Sequence, residues 1–94
     1  MNKKECEEIE DLINKRYGDN FYVVNYDYYL WVFKISNNEM IMVIHRGNNE
    51  YNSYEVKILK VDREKTLDRE FDTFKEMKKY LRNNLMDELM VHNI

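Results

Sequence analysis

The chain contains no proline, no alanine and no glutamine, and its 94 residues include only one cysteine, two glycines and two histidines. Each scarcity removes a class of protein. A single cysteine, Cys6, closes no internal disulfide and points to a reducing compartment. Cys6, His45 and His92 lie far apart and match no metal-ligand spacing, so neither a metal nor a cofactor is expected. Gly18 and Gly47 stand singly, so no glycine-rich loop is available to cradle a phosphate. No apolar run approaches the roughly 20 residues that span a bilayer. The N-terminal stretch MNKKECEEIEDLIN lacks the apolar core of a signal peptide. These absences lead to the expectation of one soluble, cytoplasmic domain covering residues 1–94.

What is present is a foldable composition, 44% hydrophobic and 35% charged. A chain of this length buries roughly 60–65% of its unfolded surface, enough for one core. The formal net charge of −3 is small but segregated. Residues 5–11, ECEEIED, hold five acids and no base, whereas residues 57–82 hold nine bases and six acids. A mildly acidic balance disfavours non-specific nucleic-acid binding, which depends on neutralising phosphates.

Periodicity gives the elements. Cys6, Ile9, Leu12, Ile13 and Tyr17 share one side of a helix from about residue 2 to residue 17. Asn2 and Glu5 form its capping box, and Gly18 is expected as a left-handed C-terminal cap. FYVV, YLWVFKI, EMIMVIHR and YEVKILKVD read as four strands. SNN, residues 36–38, reads as a turn in which asparagine accepts positive φ. REKTLDREF suits either a short fifth strand or a loop. A second helix opens at DTFKEM, where Thr73 and Glu76 make another capping box. Phe74, Met77, Leu81 and Leu85 form its apolar face; RNN at 82–84 is a plausible stop, after which LMDELMVHNI either continues the helix or forms a short separate one. The order specifies an α+β fold: N-terminal helix, four-stranded antiparallel meander, C-terminal helix with an apolar tail.

Two strands are apolar on both sides. Tyr29, Trp31, Phe33 and Ile35 line one face of the second strand, and Tyr28, Leu30 and Val32 the other. The third strand sets Met40, Met42 and Ile44 against Ile41, Val43 and His45. The plain expectation is ordinary burial of both faces, with some tyrosine hydroxyls reaching water. The alternative is that both helices pack on one face and leave an aromatic surface for a partner, a ligand or a second copy.

No catalytic constellation stands out, and an enzyme is not expected. Cys6 lies on the apolar stripe of the first helix and reads as a core filler rather than a nucleophile. Glu7, Glu10 and Asp11 are a solvated acidic helix face unless a basic partner meets them. The loop Asn48, Asn49, Glu50 and Tyr51 is a hairpin loop with a composition common in recognition. Together with Tyr28 these are the candidate protein-binding residues. Trp31, Met86 and Met90 are the candidate dimer or partner surface, since an unbroken second helix would project both methionines outward. Tyr29, Trp31 and Phe33 could instead stack bases, with Lys79 and Arg82 holding phosphates.

The acidic helix ECEEIEDLINKRYG, the hairpins from Phe21 to Asp62 and FDTFKEMKKYL together resemble small phage-encoded inhibitors. Anti-CRISPR proteins of the single-domain α+β kind and other host-takeover proteins share this organisation. Asn, Lys, Ile and Tyr, whose codons are rich in A and T, supply 37 of the 94 residues, as in an AT-rich phage or low-GC bacterial genome. The resemblance implies a non-catalytic protein that binds a host protein or defence nuclease such as a CRISPR effector in the host cytoplasm. The other readings are a nucleic-acid-binding module and a homodimeric, antitoxin-like protein. The resemblance spans most of the chain through organisation and carries over no functional residue.

Overall fold

The computed structural model describes residues 1–47, 53–60 and 65–90, of which Lys60, residues 65–67 and residues 85–90 are described in backbone only. The described elements are α1 (Lys3–Tyr17), β1 (Phe21–Tyr26), β2 (Tyr29–Lys34), β3 (Met40–Arg46), β4 (Tyr54–Lys60), β5 (Lys65–Phe71) and α2 (Phe74–Met90). The strands form one antiparallel sheet in chain order, β1-β2-β3-β4-β5. The ambiguous REKTLDREF segment thus supplies a seven-residue edge strand.

Local chemistry fixes the ends of α1. The Asn2 side chain accepts the Glu5 N–H at 2.8 Å, and the Glu5 carboxylate accepts the Asn2 N–H at 3.1 Å, completing the capping box. Gly18 is not a left-handed cap: its φ is −61°. Its role is close approach, because a Cβ there would run into the backbone carbonyl oxygen of Asn14.

Two turns carry the positive φ values. Asp27 (φ 53°) and Tyr28 (φ 63°) make a two-residue hairpin between β1 and β2. Both central residues at positive φ is the arrangement whose twist matches flanking strands. Tyr28 therefore sits in the turn and not on the Leu30–Val32 stripe. Asn38 (φ 57°) takes the left-handed position in the next turn, as its side chain permits. A register shift between Val32 and Phe33 pairs Phe33 with Met40, leaving Ile41 as the extra residue opposite the kink.

Thr73 caps α2 by accepting the Glu76 N–H at 3.1 Å. The helix runs through RNN to Met90 instead of stopping at 82–84. Asparagine costs a helix interior only about 0.7 kcal/mol per residue, too little to end one.

Both helices lie on the same side of the sheet. A single core holds Cys6, Ile9 and Ile13 of α1 and Met77 and Leu81 of α2, together with Leu30, Val32, Met42, Ile44, Val56 and Ile58 from alternate strand positions. On the other face Val43 and His45 are buried and Tyr29, Trp31 and Phe33 half-buried, with no helix over them among the described residues. The helices are tied directly as well. The Tyr17 hydroxyl lies 2.9 and 2.8 Å from the carbonyl oxygens of Leu81 and Arg82, so its one hydrogen is shared between two acceptors. Lys78 and Glu8 add an ion pair at 3.4 Å.

Candidate functional site

Among the described residues, no helix packs on the other sheet face. Its composition follows from strand register. One row across the strands reads Tyr26, Tyr29, His45, Glu55, Glu70, and the next reads Val24, Trp31, Val43, Lys57, Asp68. Tyr22, Phe33 and Met40 make a third row over β1–β3. The face is thus aromatic and apolar over three strands and mainly charged over the last two, where half-buried Leu59 opposite Thr66 follows Lys57.

The rings stabilise one another laterally. Tyr22 and Phe33, direct cross-strand partners, stack with centroids 5.3 Å apart and planes 16° apart. Tyr29 stacks on His45 at 4.8 Å and 5°, and lies 6.4 Å from Trp31 at 22°. Such pairs add roughly 0.5–1.5 kcal/mol each beyond area burial. They also explain why Tyr29, Trp31 and Phe33 are only half-buried while Val43 and His45 beneath them are buried. The exposed large apolar residues all belong to the β1–β2 hairpin: Val24 and Tyr26 on β1, Tyr28 in the turn, and Ile35 beyond the far end of β2.

Acids border the rings. His45 Nδ1 lies 2.9 Å from the Arg46 carbonyl, which can only accept, so Nδ1 carries the hydrogen. Nε2 then faces Glu55 at 3.6 Å. Lys57 lies 3.9 Å from the other Glu55 oxygen. Glu55 is also directly opposite Glu70, an unfavourable like-charge pairing in an antiparallel sheet. Glu55, Asp68 and Glu70 against Lys57 leave this end of the face acidic.

The other sequence candidates are dispersed. Glu7 and Asp11 are exposed on α1, Asp11 pairs with Lys15 at 3.0 Å, and Glu10 is half-buried. Tyr28 is exposed at the β1–β2 turn, where its carbonyl accepts the Cys6 thiol at 3.7 Å. Asn48, Asn49, Glu50 and Tyr51 lie outside the described residues, as do the side chains of Met86 and Met90. Of the candidate protein-binding and partner-surface residues Trp31 falls within the aromatic face, beside Tyr29 and Phe33, the other candidates for stacking. Lys79 and Arg82 do not accompany it: they lie on α2, which packs against the opposite sheet face. Stacking platform and cations are therefore on different sides. Sequence reasoning passed over Val43, Glu55, Lys57, Asp68 and Glu70 as a site, although alternation along β4 already turned Glu55 and Lys57 away from Tyr54, Val56 and Ile58.

Two residues of catalytic type, Cys6 and Tyr54, are locked into packing. Cys6 is fully buried, and burial, with the acids of α1 adding to it, pushes its thiol up, away from the thiolate that reacts. Tyr54, beneath the helices, donates to Glu5 at 2.5 Å, so both Glu5 oxygens are engaged. Burial, and then the hydrogen bond to Glu5, pushes the Tyr54 phenol up from its ordinary value of 10.0. A raised value in the folded state means that the proton is held more tightly there. The resulting stability is present below about pH 10 and is lost as pH rises through the folded value. Tyr54→Phe should cost about 2 kcal/mol at neutral pH. Urea midpoints measured from pH 7 to 11 should then fall less steeply for the variant than for the parent.

Compared with family models, curated proteins and solved structures, the chain finds no match.

Proposed function

We propose that this is a non-catalytic binding module that engages another protein through the open sheet face and acts by occupying that partner's surface. The observation that carries the reading is the placement of both helices on one side of the sheet, which leaves Tyr29, Trp31 and Phe33 uncovered by either. Aromatic residues supply large contact area at low entropic cost and dominate binding hot spots. The charge beside them selects the partner. Glu55, Asp68 and Glu70 border the rings, and an acidic border repels phosphates but complements lysine and arginine. The partner is accordingly a protein segment that presents apolar side chains flanked by cations. A basic nucleic-acid-binding surface, such as that of a host defence nuclease, has this chemistry, and occupying it is how a phage-encoded inhibitor would act.

Affinity capture with sheet-face variants tests the reading. The expected result is a bound protein lost with Tyr29→Ala and with the charge reversal Glu70→Lys, and retained with Glu7→Gln on α1. Capture indifferent to the two sheet-face changes would overturn it. Self-association abolished by the same changes, seen by light scattering, would assign the face to a second copy instead.

A further inference from the structure

The helix side of the molecule has its own concentrated feature, unrelated to the aromatic face. A groove of about 320 Å³ runs between α1 and α2, lined by Glu8, Asp11, Leu12, Lys15, Arg16, Lys78 and Arg82. An adjoining one of about 400 Å³ shares Lys78 and Arg82 and adds Lys75 and Lys79. The two contain six cations and two acids, a local excess of four positive charges on a chain whose total is −3. Both acids are already paired, Asp11 with Lys15 and Glu8 with Lys78. Arg16, Lys75, Lys79 and Arg82 have no ion-pair partner among the described residues.

Those cations repel one another unless an anion joins them, and the backbone that carries two of them is held in place. The shared Tyr17 hydrogen bond to the Leu81 and Arg82 carbonyls fixes the last turn of α1 against α2, with Arg16 following from one wall and Arg82 from the other. Arginine presents a planar fork of donors that matches the oxygens of a phosphate two at a time. Lysines beside it act as point charges on the same group. We propose that the groove between α1 and α2 is a phosphate-binding site, with Arg16 and Arg82 as the bidentate contacts and Lys75 and Lys79 completing the cationic wall. The phosphates belong either to a nucleotide or to a nucleic-acid backbone.

Calorimetric titration of the intact protein with sodium pyrophosphate, a nucleoside triphosphate, a single-stranded 12-mer oligonucleotide and hexaglutamate tests the proposal. Saturable pyrophosphate binding is expected, weakened at least about tenfold in the Arg16→Gln/Arg82→Gln double variant. Both side chains are exposed, so the variant should unfold at the parent's temperature. Tighter binding of the triphosphate would assign the site to nucleotides, and tighter binding of the oligonucleotide would assign it to a backbone. No saturable pyrophosphate binding, binding unchanged in the double variant, or hexaglutamate bound as tightly as pyrophosphate would overturn the proposal. None of these titrations requires the protein partner of the sheet face, so the two readings fail separately.

Discussion

Trp31→Ala should weaken binding of the protein partner by about thirtyfold or more, the loss of about 2 kcal/mol that marks a hot spot. Trp31 sits in the middle row of the open face between Val24 and Val43, with Tyr29 stacked beside it. Its neighbours shield it from water at the edges and leave its outer surface for a partner, the setting in which aromatic truncation costs most. The substitution removes a stacking partner as well, so a modest fall in stability should accompany it. Binding measured well below the variant's melting temperature separates the two effects. Trp31 is the chain's lone tryptophan, so emission of the parent protein reports directly on this face. Partner binding with no change in tryptophan emission would place the contact elsewhere.

The largest effect on folding is expected from Phe21→Ala. Phe21 is 1% exposed and begins β1 in the same core cluster as Ile13 and Tyr17. Removing a buried phenyl ring loses its transfer free energy and leaves a cavity, together about 3–5 kcal/mol. A chain of this length has a total stability of about 5–14 kcal/mol. The variant should therefore melt at least about 12 °C lower, and at the low end of that range it keeps only about 0–2 kcal/mol. Tyr26→Ala, on the same strand but 72% exposed, is the control and should change stability by no more than about 0.5 kcal/mol. Similar melting of the two variants would mean that Phe21 does not sit in the core as described.

Sequence reasoning reached the elements whose signals are local. Asn2 and Glu5 satisfy each other within one turn, and Asn38 satisfies its turn alone, so both were legible. Edge strand β5 was harder, because Lys65, Leu67, Arg69 and Phe71 alternate with Thr66, Asp68 and Glu70 and leave the apolar pattern thin. Between a stop at RNN and a continuing helix the sequence leaves the choice open, and the helix continues because weak per-residue propensity does not compete with docking through Met77 and Leu81. Gly18 was legible as a special position, but the reason is a crowded carbonyl, which depends on three-dimensional approach.

The disposition of the helices was not legible at all. Strand β2 is apolar at every position from Tyr29 to Phe33, so period-two analysis cannot say which stripe is covered. The deciding information is long-range, in the Tyr17 contact with α2 and the fit of Ile9, Ile13, Met77 and Leu81 over Leu30, Val32, Val56 and Ile58. Only once that side is filled do Tyr29, Trp31 and Phe33 emerge as the open face.

The strand order has a kinetic meaning. Every strand pairs with its immediate neighbour in the chain, so each pairing closes a short loop at small entropic cost. The contact order of the sheet is correspondingly low, and its hairpins can form one upon another. The meeting of Tyr17 with Leu81 and Arg82, across 64 and 65 residues, is the exception. That closure is reached cheaply only after the sheet has brought the two helices together. The helix pair, and the groove it encloses, is thus expected to assemble after the hairpins, so folding-rate φ-values should be lower at Tyr17 and Leu81 than at Leu30 and Ile44.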